Sequence, residues 1–173
     1  MSEGIDIVAE LMAVSGKNAP TALDKSYLDI SLLDEAEKEM LVEEMFQLAD
    51  ELDDESYAEK GDLIEKCQRV ILVGLGDHPS LGIDCKACGY DDCKSFDSAK
   101  KKEDIFEGPN CVFRLIDLGL AIGYILRTCR QNNVFSEILI KGGLAAKSLG
   151  LSDCNICLAI PIYEKSRYSY FRL

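Results

Sequence analysis

Four cysteines in the middle of the chain, Cys85, Cys88, Cys93 and Cys111, stand in the spacing C-x2-C-x4-C-x17-C. Thiols grouped this closely restrict the path of the chain, because three lie within nine residues and a fourth returns from a distance. From residue 76 to residue 110 the sequence is polar, with few apolar positions, and is too long for an ordinary connection. An apolar, β-branched run over 70–75 precedes it and reads as a buried strand ending in glycine. An apolar helix over 112–130 follows, with Gly119 and Gly123 four apart, a spacing that lets another element approach closely. The segment 76–111 is therefore expected as a cysteine-rich insertion within a single domain spanning 1–173.

Three thiolates in one short segment wrap one side of a metal centre, and a fourth closes the cage. Gly89, directly after Cys88, lets backbone N–H groups turn toward the sulfurs and stabilise their charge. A [4Fe–4S] cluster and a structural zinc ion both accept four cysteines. Zinc ribbons usually offer two separated C-x2-C pairs, whereas here three ligands are grouped, which favours iron–sulfur and leaves zinc as the alternative. Cysteine usage agrees with a reducing compartment. Eight cysteines would make four disulfides only outside the cytoplasm, and the start, Met-Ser-Glu-Gly-Ile-Asp, carries acid where a signal peptide needs base. The longest apolar run, 118–126, is far shorter than the ~20 residues of a membrane span. A cytoplasmic protein is expected.

The remaining pattern is mixed. Apolar residues at helical spacing predict a helix over 4–15, and Asp34 with Glu37 three residues on predicts an N-cap and capping box for a second. A shorter helix is expected over 56–67, a strand over 134–140, a helix over 142–149 and a second buried strand over 156–162. Tyr163, Tyr168, Tyr170 and Phe171 could cover the core or a partner subunit. Residues 1–60 hold 17 acidic against 4 basic side chains, so the whole net charge of −12 arises there. That surface repels phosphates, which excludes duplex nucleic acid and anionic membrane as partners for this part.

The other cysteines read as core. Cys67 and Cys129 stand alone at helix ends. Cys154 and Cys157 form a second C-x2-C at the start of a strand, where alternation is expected to send them to opposite faces. His78, the only histidine, is expected as an exposed loop residue with nothing nearby to orient it, a ligand or proton donor being the alternative. Gly74-x-Gly76 lacks the third glycine of a dinucleotide fingerprint. Lys100, Lys101 and Lys102 offer either a docking patch for an acidic redox partner or a solvated helix face. One loop histidine builds neither a Ser/His/Asp nor a Cys/His constellation, so no catalytic group is assigned and electron carriage is favoured over catalysis.

The segment from Asp84 to Cys93, with Cys111 after Gly108-Pro109, resembles the small four-cysteine iron–sulfur segment of electron-transfer subunits in anaerobic redox complexes. Lys86 stands where that segment has its first glycine. The whole chain resembles a family of bacterial and archaeal proteins described as containing a ferredoxin domain. That likeness rests on Ala19-Pro20, the cysteine segment, residues 117–123, 143–146 and Ile160-Pro161-Ile162. It implies an electron-transfer redox protein, for which the Lys100–Lys102 run offers a docking face toward an acidic partner such as a ferredoxin or flavodoxin.

The order Ala19-Pro20, a strand, a long central helix, Leu149-Gly150-Leu151 and Ile160-Pro161 is similar to that of the nitroreductase-like flavoproteins. This second resemblance implies an α+β fold, a central sheet flanked by helices, and a homodimer. It brings in FMN and an FMN-dependent reductase as an alternative. The early arginines that hold the flavin phosphate in that superfamily have no counterpart, since residues 1–37 offer only Lys17 and Lys25.

Overall fold

The structure, a computed structural model, describes residues 3–102 and 104–164. Four strands, β1 (Leu28–Leu32), β2 (Arg69–Leu75), β3 (Phe135–Ser136) and β4 (Ile156–Tyr163), form one sheet in the order β1-β2-β4-β3. Every neighbouring pair is antiparallel. The helices are α1 (Glu3–Lys17), α2 (Glu35–Glu51), α3 (Glu55–Glu65), α4 (Cys93–Asp97), α5 (Val112–Gln131) and α6 (Ile140–Ser148), with a short 3-10 turn at Ala22–Asp24. The expected α+β fold, a sheet flanked by helices, is the fold observed.

Strand alternation divides the interior in two. Ile71, Val73 and Leu75 of β2, with Ile160 and Ile162 of β4, face a core completed by Ile5, Ala9 and Met12 of α1 and by Leu118, Ala121 and Ile125 of α5. Val70, Leu72, Cys157 and Ala159 point the other way, onto Leu41 and Met45 of α2, Ile64 of α3 and Ala145 and Ala146 of α6. Each large side chain buried in these layers contributes roughly 1.5–3 kcal/mol relative to exposure. The molecule is thus three layers, with β2 and β4 as its central strands.

Local chemistry accounts for the element ends. The Asp34 carboxylate accepts from the Glu37 N–H at 2.8 Å, and the Glu37 carboxylate accepts from the Asp34 N–H at 2.8 Å, the reciprocal box that the sequence predicts for α2. Asp54 caps α3, and its carboxylate and the Ser56 hydroxyl both meet Lys141 of α6. That ammonium holds the Asp54 carboxyl down at about 2. On α6 a Cβ at Gly143 would lie 1.9 Å from the Cys157 carbonyl oxygen, so only glycine lets this helix lie on β4.

Three features differ from expectation. Strand β1 is an addition, in which only Ile30 is deeply buried among Leu28-Asp29-Ile30-Ser31-Leu32. The strand expected over 134–140 shrinks to Phe135–Ser136, with Leu139 bridging to Ala159 just before α6 begins, and Ile138 and Ile140 stay exposed. Among the described residues Gly119 and Gly123 receive no other element, since no atom of another element lies within 4 Å of a Cβ built at either. Tyr163 covers the core, its hydroxyl donating to the Leu63 carbonyl at 3.0 Å, while Tyr168, Tyr170 and Phe171 lie outside the described residues. Among the described residues no helix is long and apolar enough to cross a membrane.

Candidate metal centre

The cysteine segment leaves the sheet at the end of β2, where the Gly76 N–H donates to the Tyr27 carbonyl at 2.9 Å. The Ser80 N–H and hydroxyl then grip the Asp97 carboxylate at 2.6 and 3.0 Å, tying the outgoing strand to α4. Between these points the backbone turns left-handed at Asp84 (φ 48°), Lys86 (φ 60°) and Gly89 (φ 85°). Such turns re-aim backbone N–H groups into the concave side of a loop. The Asp84 N–H donates to the Cys93 sulfur at 3.3 Å, and the Asp84 carboxylate accepts from the Cys93 N–H at 2.7 Å. Asp92 caps α4 through the Ser95 N–H at 2.6 Å, a bond that lowers its carboxyl below the usual range.

The return path is also anchored. Lys102 and Gly108 exchange backbone hydrogen bonds of 2.7 and 2.9 Å, and the Glu107 N–H donates to the Asn155 carbonyl at 3.1 Å. Asn110 reaches back to the Glu107 carbonyl at 2.6 Å and accepts from Asn155 at 3.4 Å. Cys111 follows as the residue before the first turn of α5.

All eight cysteines are free thiols. Cys85 is exposed, Cys88 and Cys93 are half-buried, and Cys111 is buried at 5% exposure. The structure brings Cys85, Cys88 and Cys93 into one loop, with Cys111 at its far foot. No group of three or more potential ligands is drawn to metal-binding distance among the described residues. The donor set itself fits a four-thiolate centre: Asp84 and Asp92 are engaged with backbone N–H groups, and one loop sulfur already accepts an N–H. Cys85, Cys88, Cys93 and Cys111 would hold a cluster or a zinc ion, and an iron–sulfur cluster would supply one-electron chemistry.

His78 overturns its expectation. It is 6% exposed, and both ring nitrogens are used. The Cys111 N–H donates to Nε2 at 3.1 Å, so Nδ1 carries the proton and donates to the Gly76 carbonyl at 2.8 Å. Burial holds the imidazole pKa below its ordinary value, consistent with a neutral ring. The residue looked exposed because its cover comes from distant chain: a cavity of about 560 Å³ lies beside it, lined by Pro79, Phe96, Ala99 and Pro109 among others. Lys101, at the same cavity, pairs with Asp77, and Lys102 enters the bridge to Gly108. The lysine run is therefore not a helix face.

Two further arrangements bear on the site. Arg114 and Asp117, both buried on α5, pair at 3.1 Å, and Arg114 also donates to the Ala22 and Lys25 carbonyls at 3.0 and 2.9 Å. Asp117 accepts from the Ala22 N–H at 2.9 Å. All three Arg114 bonds leave from Nη1, which fastens residues 22–25 onto α5, while the buried Nε has no partner among the described residues. A signal was present in the sequence, since two charges three apart inside an otherwise apolar helix have to be paired if buried. Cys154 and Cys157 correct the second expectation: both lie in the same core on one side of the sheet. Cys154 precedes β4, so strand alternation does not apply to it. Burial raises both thiols, Cys157 to about 11.

Over 170 residues, 98% of this chain and 92% of the relative, the sequence is 32% identical to an uncharacterized protein of Archaeoglobus fulgidus. Residues 107–172 match the family described as uncharacterized proteins containing a ferredoxin domain, a stretch that includes Cys111. Among solved structures, a nitroreductase with bound FMN from Desulfitobacterium hafniense superposes with a TM-score of 0.58 at 10% identity, over 96% of this chain and 82% of that one. A BluB-like flavoprotein from Clostridium difficile gives 0.50 at 12% identity, over 100% and 84%. At such identities the likeness is one of fold. On its sequence, the chain belongs to the family of uncharacterized proteins containing a ferredoxin domain, and its fold is that of the nitroreductase-like flavoproteins.

Proposed function

We propose that the chain is an iron–sulfur electron-transfer protein or redox subunit carrying one [4Fe–4S] cluster on Cys85, Cys88, Cys93 and Cys111. The observation that carries this reading is the reciprocal bond between Asp84 and Cys93. A backbone N–H already points at a candidate ligand sulfur, inside a loop turned left-handed on both sides of Cys85. Such N–H···S bonds stabilise thiolate charge and tune cluster potential. The chain's own part is to bind and orient: three thiols from the loop and one from the start of α5, with the Asp84 and Asp92 carboxylates occupied by backbone N–H groups. The protein would exchange electrons with a redox partner such as a ferredoxin or flavodoxin, in the reducing cytoplasm that its free thiols suit.

A flavin on the same scaffold is the second reading, favoured by the FMN bound in a solved structure of the same fold. Lys17 and Lys25 are the only basic residues before Lys38, and Nη1 of Arg114 is taken up by Asp117 and two carbonyls.

Iron, acid-labile sulfide, zinc and flavin measured on protein purified without oxygen decide between the readings. The expected result is brown protein that bleaches on reduction, with Cys93→Ser losing the colour and Cys154→Ser keeping it. Colourless protein with stoichiometric zinc would overturn the cluster. A yellow chromophore released on denaturation would establish the flavin.

A further inference from the structure

We infer that His78 is a positioning residue for the metal centre: it fixes Cys111, the one distant ligand, against the three that the loop supplies. This rests on the cluster reading above. The cysteine segment leaves the domain at Gly76 and rejoins it at Cys111. The His78 side chain lies across those two feet. Gly76 is itself held by the Tyr27 carbonyl at 2.9 Å, and its own carbonyl accepts from Nδ1 of His78 at 2.8 Å. The opposite edge of the ring accepts the Cys111 N–H at 3.1 Å. The imidazole is a strut between residues 76 and 111, with the Tyr27 ring tilted against it at 6.2 Å.

The arrangement is more specific than packing requires. A side chain that only filled this space could be Phe or Leu, with no polar atoms to satisfy, whereas a buried histidine must place both nitrogens, and this one places both on backbone. Its Nε2 lone pair is directed at the Cys111 N–H, so the ring is not itself a ligand in this conformation. What it controls is where the Cys111 backbone sits, and hence where that thiol emerges at the start of α5. Partners that orient metal ligands in this way commonly change metal affinity when removed.

Two substitutions separate the two ring edges. His78→Asn keeps a donor near the Nδ1 position for Gly76 and loses the acceptor for Cys111. His78→Gln places its side-chain oxygen at the reach of Nε2 and keeps that acceptor. The readout is the rate at which anaerobically loaded protein gives up iron to a chelator, with the cluster's electron paramagnetic resonance spectrum recorded on the reduced protein and thermal unfolding on each apoprotein. The expected result is about tenfold faster loss for His78→Asn and loss within about threefold of wild type for His78→Gln, at similar apoprotein stability. Equal behaviour of the two variants, or iron loss that only tracks apoprotein stability, would overturn the positioning role. A spectrum changed in both variants would make His78 a ligand instead. Hydrogen exchange at the Cys111 amide of the wild-type protein needs no variant, and fast exchange there refutes the strut. Wild-type protein that binds no iron removes the cluster reading and this inference together, whereas iron retained unchanged by His78→Asn removes only the inference.

Discussion

The thiols divide by surroundings more than by spacing. Burial raises the Cys67 and Cys157 thiols to about 11 and pushes those of Cys129 and Cys154 upward, so at neutral pH they are protonated core groups. Cys85 is exposed, and Cys88 and Cys93 are half-buried. Brief alkylation of metal-free protein at pH 8, read by mass spectrometry, is expected to label these three and to spare the four core thiols until denaturant is added. Early labelling of Cys157 would contradict the burial described. The core role of Cys67 and Cys129 was readable from their positions, each alone at a helix end. His78 was not, because a loop residue is covered by whatever the chain brings back. Here that is α4 and the approach to α5, whose places no local pattern reveals.

Elements with their own chemistry were the most legible. The Asp34–Glu37 box announces α2, and the continuous apolar runs of β2 and β4 announce strands buried on both faces at the sheet centre. The edge strand β1 was missed because two of its alternate positions are Asp29 and Ser31, which match a loop as well as a solvated strand. The Arg114–Asp117 pair decides how residues 22–25 dock onto α5, and it is legible only once the helix is known to be buried on that side. Breaking a buried pair strands a charge, so Arg114→Met is expected to cost about 3–5 kcal/mol in denaturant unfolding of the apoprotein. Arg114→Met combined with Asp117→Leu should recover part of that loss. A single variant as stable as wild type would show that the pair is not what fastens this segment.

For the whole molecule, the sequence order supplied the class and the layers came from register: shifting β2 by one residue would exchange the two cores. One outer surface remains without cover among the described residues of a single copy. Ile7, Leu11 and Val14 are exposed on α1, Ile116, Leu120 and Tyr124 on α5, and the two helices meet where the Ser15 hydroxyl donates to the Tyr124 carbonyl at 3.1 Å. Gly119 and Gly123, open on α5, add room for close approach. A second copy related by a twofold axis would pair this patch with itself. Sedimentation of the wild type is expected to give twice the 19.1 kDa chain mass, and Leu11→Asp with Leu120→Asp to give single chains. A monomeric wild type would refute the pairing.

The two anchored feet of the cysteine segment have a consequence for repair. Neither layer of the core includes Cys85, Cys88 or Cys93, while Gly76, Glu107 and Asn155 pin the segment's ends to the sheet by backbone bonds. A centre destroyed by oxygen would therefore leave the three-layer body standing, with the gap between its feet still set. Reassembly of such a centre would then be a local event on a folded platform, and its loss would not oblige the cell to discard the protein.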